Sequence, residues 1–197
     1  MCRSCRHVDA TYRCPVDDYS DSVRAQLQVI AEFVASARES NVEVQLRGGW
    51  AMDFFLHRVT REHGDVDWFA WAVDVPALTD VLAARGWVRL AKAPPEQQLD
   101  YLAGDVEVGI ALLARDPEGR PVVAGGPWAG AVWPAGLLDG PLGRLGEVSC
   151  PIVSAAAQIE IKLMTPTWMP GRPRRAKDVE DVARLREGLA GARDGLA

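Results

Sequence analysis

An alternating run, Val42-Glu-Val-Gln-Leu46, leads through Arg47 into the pair Gly48-Gly49 and on into Trp50-Ala-Met-Asp-Phe-Phe-Leu56. Asp65-Val66-Asp67 then follows, sixteen residues after the second glycine. The alternation predicts a strand, because successive side chains on a strand point to opposite faces, and the apolar segment after the glycines predicts a helix. A glycine pair at that junction lets the backbone approach an anion, and the helix it opens directs free amides and a positive dipole end toward it. Asp65 and Asp67 open a second apolar strand that runs to Val73. Two residues apart, they share a face with α-carbons about 6.5–7 Å apart. Hard divalent cations take oxygen ligands, and magnesium is commonly held by one or two carboxylates plus substrate phosphates. A Gly-Gly turn or an Asp-x-Asp alone recurs by chance, but in this order they predict metal-assisted chemistry on a phosphate chain.

The rest of the chain surrounds these segments with further elements. Val23, Leu27, Ile30, Phe33 and Val34 recur at helical spacing behind the N-cap candidates of Asp18–Ser22, which predicts an amphipathic helix to about Ser40. Pro76 opens a helix through about Arg85, and Trp87–Leu90, Gln98–Leu102 and Asp105–Leu113 read as strands. Residues 116–147 are rich in Gly and Pro and predict loops with a short hairpin. Ser154 caps a helix through Met164, and another helix runs from Ala176 to about Leu189. The expected organisation is an N-terminal tail over residues 1–19, a core over 20–150 and a C-terminal helical part over 151–197 packed on that core.

Composition narrows the partners. A net charge of -5 argues against a dedicated nucleic-acid surface and suits a cationic small molecule. No apolar run reaches a membrane span or resembles a secretory leader, so a cytoplasmic protein without membrane association is expected. Cys2, Cys5, His7 and Cys14 offer the number and chemistry of a tetrahedral zinc site, although the spacing is tighter than in common fingers. The alternative is a tail of reduced thiols.

Arg47-Gly-Gly-Trp-Ala-Met-Asp53 and Arg58-Val-Thr-Arg-Glu-His-Gly-Asp-Val-Asp67 resemble the polymerase-beta-like nucleotidyltransferases, and within them the aminoglycoside 2''-adenylyltransferases. Ala155–Lys162 and Lys177-Asp178 match more loosely, and the resemblance spans about residues 25–187. It implies an α+β (α/β-like) nucleotidyltransferase fold, with a mixed β-sheet flanked by helices and a small C-terminal helical part. It also implies transfer of a nucleoside monophosphate, AMP from ATP in the first instance, to a hydroxyl. The roles it implies are catalysis and metal binding for Asp65 and Asp67, and nucleotide binding for Gly48, Gly49, Lys162 and Lys177. The family takes a third carboxylate from a nearby strand, which falls here on Asp105-Val-Glu107. Glu107 is the choice, for metal binding as well as catalysis, with Asp105 on the same face as its rival. Two magnesium ions would neutralise the triphosphate and orient the attacking hydroxyl, while the third carboxylate accepts its proton.

Blander roles stand beside these. Lys162 also fits a solvated helix face, and His63 a hydrogen-bonding residue of its turn. Trp50, Trp68 and Trp71 sit in apolar segments and read as core, whereas Trp128, Trp133 and Trp168 fall in loops suited to a pocket rim. Arg172, Arg174, Arg175 and Lys177 form a basic cluster that either holds phosphates or decorates a loop. The expected function is antibiotic nucleotidylation of a cationic, hydroxylated aminoglycoside. The alternatives are a protein, transfer RNA or lincosamide acceptor, or a nucleotide-binding module without catalysis.

Overall fold

The computed structural model describes residues 19–168 and 175–194. The chain opens with helix α1 (Asp21–Glu39), whose first turn is capped by Ser20 Oγ, accepting from the Val23 amide. Strand β1 (Val44–Arg47) follows and runs directly into α2 (Gly48–Leu56). Next come β2 (Val66–Trp71), α3 (Val75–Ala84), β3 (Val88–Leu90), β4 (Gln98–Ala103) and β5 (Val106–Arg115). Short β6 (Pro121–Val123) and the hairpin β7 (Leu142–Leu145) and β8 (Val148–Pro151) precede α4 (Ala155–Trp168) and α5 (Ala176–Asp194).

The mixed sheet runs in the order β1-β2-β5-β4-β3, with β6 added at the far end of β5. β2 and β5 are parallel neighbours, and the other pairs are antiparallel. β2 and β5 are central, which is why their sequences are nearly continuous apolar runs rather than strict alternations. Helix α1 lays Val23, Leu27, Ile30, Phe33 and Ala37 on this sheet. Phe33 stacks on Trp68 with ring centroids 4.4 Å apart, worth about 1 kcal/mol beyond the area buried.

Helix α2 is buried on nearly every side, with Trp50, Ala51, Met52, Asp53 and Phe54 all inside. It lies between the sheet and the C-terminal helices, and Met52 meets Ala155 of α4 and Leu185 of α5. The hairpin β7–β8 delivers the chain beside β1, where the Val153 amide donates to the Leu46 carbonyl at 2.9 Å. The end of β1 and the start of α4 thereby become neighbours.

The predicted elements are present, with longer helices near the C-terminus. α4 passes Met164 to end at Trp168. α5 continues beyond Leu189 to Asp194. Trp50, Trp68 and Trp71 are core residues, whereas Trp128 is exposed and Trp133 packs edge-on against Phe69. The zinc candidates Cys2, Cys5, His7 and Cys14, and Arg172 and Arg174 of the basic cluster, lie outside the described residues. Among the described residues, no helix is long and apolar enough to cross a membrane.

Candidate active site

Asp67 of β2 is in register with Gly109 of β5, and Gly109 is in register with Asp100 of β4. Residues paired across a sheet share a face, so two carboxylates flank a position that carries no side chain. A methyl group built on Gly109 would stand 3.0 Å from Asp67 Oδ1 and 3.2 Å from Gln98 Nε2. Asp100 is 7% exposed; its Oδ1 accepts from Gln98 Nε2 at 2.6 Å and its Oδ2 from the Ala93 amide at 3.0 Å. Asp65 is exposed at the lip of the same small acidic pocket, which these groups line together with Glu107.

Glu107 shares this face, two residues from Gly109, but is placed differently from Asp100. Its Oε2 accepts from Lys92 Nζ at 2.5 Å, and both side chains are half exposed. Asp105 is exposed at the β4–β5 turn. The buried carboxylate next to Asp67 is therefore Asp100, which the sequence reading did not single out. A glycine in the middle of an otherwise apolar strand was the available signal, since such a residue marks a close approach by a neighbour.

Gly48 meets Asp67 from the other side. Its φ of +73° is a conformation that favours glycine, and a methyl group there would stand 3.1 Å from Asp67 Oδ2. Beyond it opens a cleft of about 120 Å³ whose lining includes Arg47, Gly48, Asp67, Lys162, Arg175 and Asp178, three cations and two carboxylates. Asp67 is thus a wall shared by an acidic pocket and a largely basic cleft.

Burial pushes the Asp67 carboxyl above its ordinary value of 3.8. The Arg47 guanidinium opposes this, Asp65 and Asp100 reinforce it, and Lys177 again opposes it; the net direction is upward. Lys177 is exposed, so its charge acts on the site at some distance. Lys162 is only 11% exposed; its Nζ donates to Asp181 Oδ2 at 2.8 Å and lies 3.9 Å from Asp178 Oδ1. Arg175 clasps Asp178 through Nε at 2.8 Å and a terminal nitrogen at 3.0 Å.

Gly49 faces a third group. A methyl group there would stand 2.3 Å from His63 Nδ1. His63 is buried against Trp50, with Nε2 2.7 Å from Asp53 Oδ2 and Nδ1 2.9 Å from an Arg61 nitrogen. Its hydrogen-bonding role at the turn is thus visible. Asp53 was legible as an acid inside an apolar helix, where a charge requires partners.

Among the described residues, no three His, Cys, Asp or Glu side chains are gathered closely enough to hold a metal ion unaided. The donor set nevertheless fits magnesium. It consists of carboxylate oxygens, it includes a partly buried carboxyl whose ionisation is disfavoured without a nearby cation, and it adjoins a cleft able to take the phosphates that usually complete such a site.

The family model for aminoglycoside-2''-adenylyltransferases matches residues 29–185. The chain belongs to that family. Curated 2''-aminoglycoside nucleotidyltransferases of Klebsiella pneumoniae and Escherichia coli are each 45% identical over 42 residues, 21% of this chain and 24% of theirs. The matched stretch thus spans about a quarter of those relatives. The crystal structure of ANT(2'')-Ia in complex with adenylyl-2''-tobramycin superposes with a TM-score of 0.68 at 20% identity, covering 87% of this chain and 94% of that one. The lincomycin-bound lincosamide adenylyltransferase LnuA gives a TM-score of 0.61 at 16% identity, covering 85% and 96%. At these identities the likeness shows the nucleotidyltransferase fold.

Proposed function

We propose that the protein transfers a nucleoside monophosphate, AMP from ATP in the first instance, to a hydroxyl of an aminoglycoside-like cation in a metal-dependent reaction. The observation that carries this reading is the position of Asp67 between the acidic pocket and the basic cleft. A triphosphate in the cleft would meet Lys162, Arg175, Arg47 and the Gly48 backbone, with Lys177 adding positive field. A polycation would be attracted to the opposite side, where Asp65 and Glu107 lie at the lip.

Asp65 and Asp67 are the residues proposed to hold magnesium. When bound, magnesium supplies charge neutralisation for the phosphates and for the departing pyrophosphate. The acceptor oxygen bonds to the α-phosphorus as the bond to the pyrophosphate oxygen breaks. The hydroxyl proton passes to a carboxylate, and we assign that role to Asp100 in place of Glu107. Asp100 is buried beside Asp67 across Gly109 and held by two hydrogen bonds, whereas Glu107 is half exposed and paired with Lys92.

The test is mass spectrometry of a panel of aminoglycosides and lincosamides incubated with the protein, mixed nucleoside triphosphates and magnesium. An aminoglycoside heavier by one nucleoside monophosphate, absent when a chelator is added, is expected. Modification of lincosamides alone would replace the acceptor, and no modified acceptor at all would remove the proposal.

A further inference from the structure

Lys162 does not stand alone on its helix: it is the last member of a buried chain of charged and polar groups that begins at Asp53. Thr60 Oγ1 donates to Asp53 Oδ1 at 2.6 Å, and Asp53 Oδ2 accepts from His63 Nε2 at 2.7 Å. A guanidinium can only donate, so at 2.9 Å from Arg61 the imidazole Nδ1 must be the acceptor and Nε2 carries the proton. Arg61 then forks onto Asp181 of α5, at 3.3 Å to Oδ1 and 2.9 Å to Oδ2, and Oδ2 also accepts from Lys162. Asp53 and Asp181 are fully buried and His63 nearly so.

The cations of this cluster share carboxylates. Arg61, Lys162, Arg175 and Arg184 stand among Asp53, Asp178, Glu180 and Asp181, so the formal charges balance beside the cleft that contains Gly48 and Asp67. Asp181 has its charge shared among Arg61, Lys162 and, at 3.6 Å, Arg184. Lys162 has three N–H donors and places one on Asp181. Gly49 is the residue that admits the arrangement, because a methyl group there would stand 2.3 Å from His63 Nδ1 and 2.8 Å from an Arg61 nitrogen.

We propose that Arg61, fixed by His63 and Asp53, is a positioning residue that shares the charge of Asp181 and so keeps Lys162 oriented, with donors to spare, toward a triphosphate in the cleft. This rests on the reading that the cleft takes a nucleotide's phosphates. It explains why the second glycine, an imidazole and an acid on α5 form one unit: together they couple the phosphate turn to the lysine that serves it.

The experiment is calorimetric titration of inorganic tripolyphosphate with magnesium into the wild-type protein and Arg61→Met, His63→Leu and His63→Gln, with thermal melting of each and the KM for nucleotide and for acceptor. Glutamine can accept from Arg61 through its oxygen and donate to Asp53 through its nitrogen, whereas leucine can do neither. Arg61→Met and His63→Leu are expected to weaken tripolyphosphate binding about tenfold, the scale of one hydrogen bond to a charged group. His63→Gln should bind within about twofold of wild type, and in Arg61→Met and His63→Leu the KM for nucleotide should rise while that for acceptor holds. Arg61 is partly exposed, so its methionine variant remains informative if His63→Leu fails to fold. Wild-type binding that Arg61→Met leaves unchanged overturns the positioning role. Binding losses that only track losses in melting temperature, with both KM values moving together, overturn it in favour of a purely structural network. Absence of wild-type binding removes the phosphate cleft itself and this inference with it.

Discussion

Gly109 and Asp67 are paired residues on adjacent strands, and the absent side chain of the first leaves room for the carboxylate of the second, 3.0 Å from where a methyl group would stand. Asp100 faces the same gap from the third strand. Gly109→Ala should push Asp67 off its position while adding a residue no worse than glycine for a strand. Activity is expected to fall by at least about tenfold, since small displacements of reacting groups are costly, with a melting temperature near that of wild type. Steady-state kinetics and melting on the same preparation check this.

Asp67 also fixes how stability depends on pH and metal. Its carboxyl is raised by burial, so the folded state favours the protonated form. That contribution is fully present below the unfolded value near 3.8 and is lost as pH rises through the folded one, above which the ionised carboxylate is destabilising. Magnesium should raise the melting temperature at pH 7 and do little at pH 4. Asp67→Asn should abolish the magnesium effect without lowering the metal-free melting temperature.

Asp181 has the opposite sign. Burial raises its carboxyl, but hydrogen bonds and charge from Arg61 and Lys162 outweigh this and hold it below the usual range. Its contribution is present above the unfolded value and lost as pH falls through the folded one. Asp181→Asn should be destabilised at pH 7, with the difference from wild type shrinking toward pH 3; urea unfolding across that interval measures it.

Gly49 tests packing rather than charge. Gly49→Ala would drive a methyl group into His63 and Arg61, and the buried imidazole has little room to retreat. A loss of about 1–3 kcal/mol is expected from overpacking of this kind, measured by urea unfolding. The same change at Gly64, where a methyl group would meet nothing within 4 Å, should be close to neutral.

Local pattern carried the first half of the site into the sequence. Asp65 and Asp67 are two residues apart on a strand, so their common face follows from the pleat, and Gly48-Gly49 announces its turn by composition. Asp100 could not be read this way. Its nearness to Asp67 depends on β4 pairing with β5 so that Asp100 falls opposite Gly109, a register set by the hairpin and by packing rather than by nearby residues. Glu107 lies two residues away on the same strand face, and alternation gives it the same orientation without revealing that the site deepens toward Gly109 and opens to water at Glu107. The link from Lys162 to Arg61 joins residues 101 apart through Asp181, which no local period encodes.

The central claim is that the third carboxylate is supplied by β4 beside Asp67, and the most direct measurement compares turnover of Asp100→Asn and Glu107→Gln with the same nucleotide and acceptor. Asp100→Asn is expected to lose at least about a hundredfold in kcat, the scale of a lost general base, while Glu107→Gln stays within about tenfold of wild type. An active Asp100→Asn alongside an inactive Glu107→Gln would contradict the claim and return the role to the exposed end of β5.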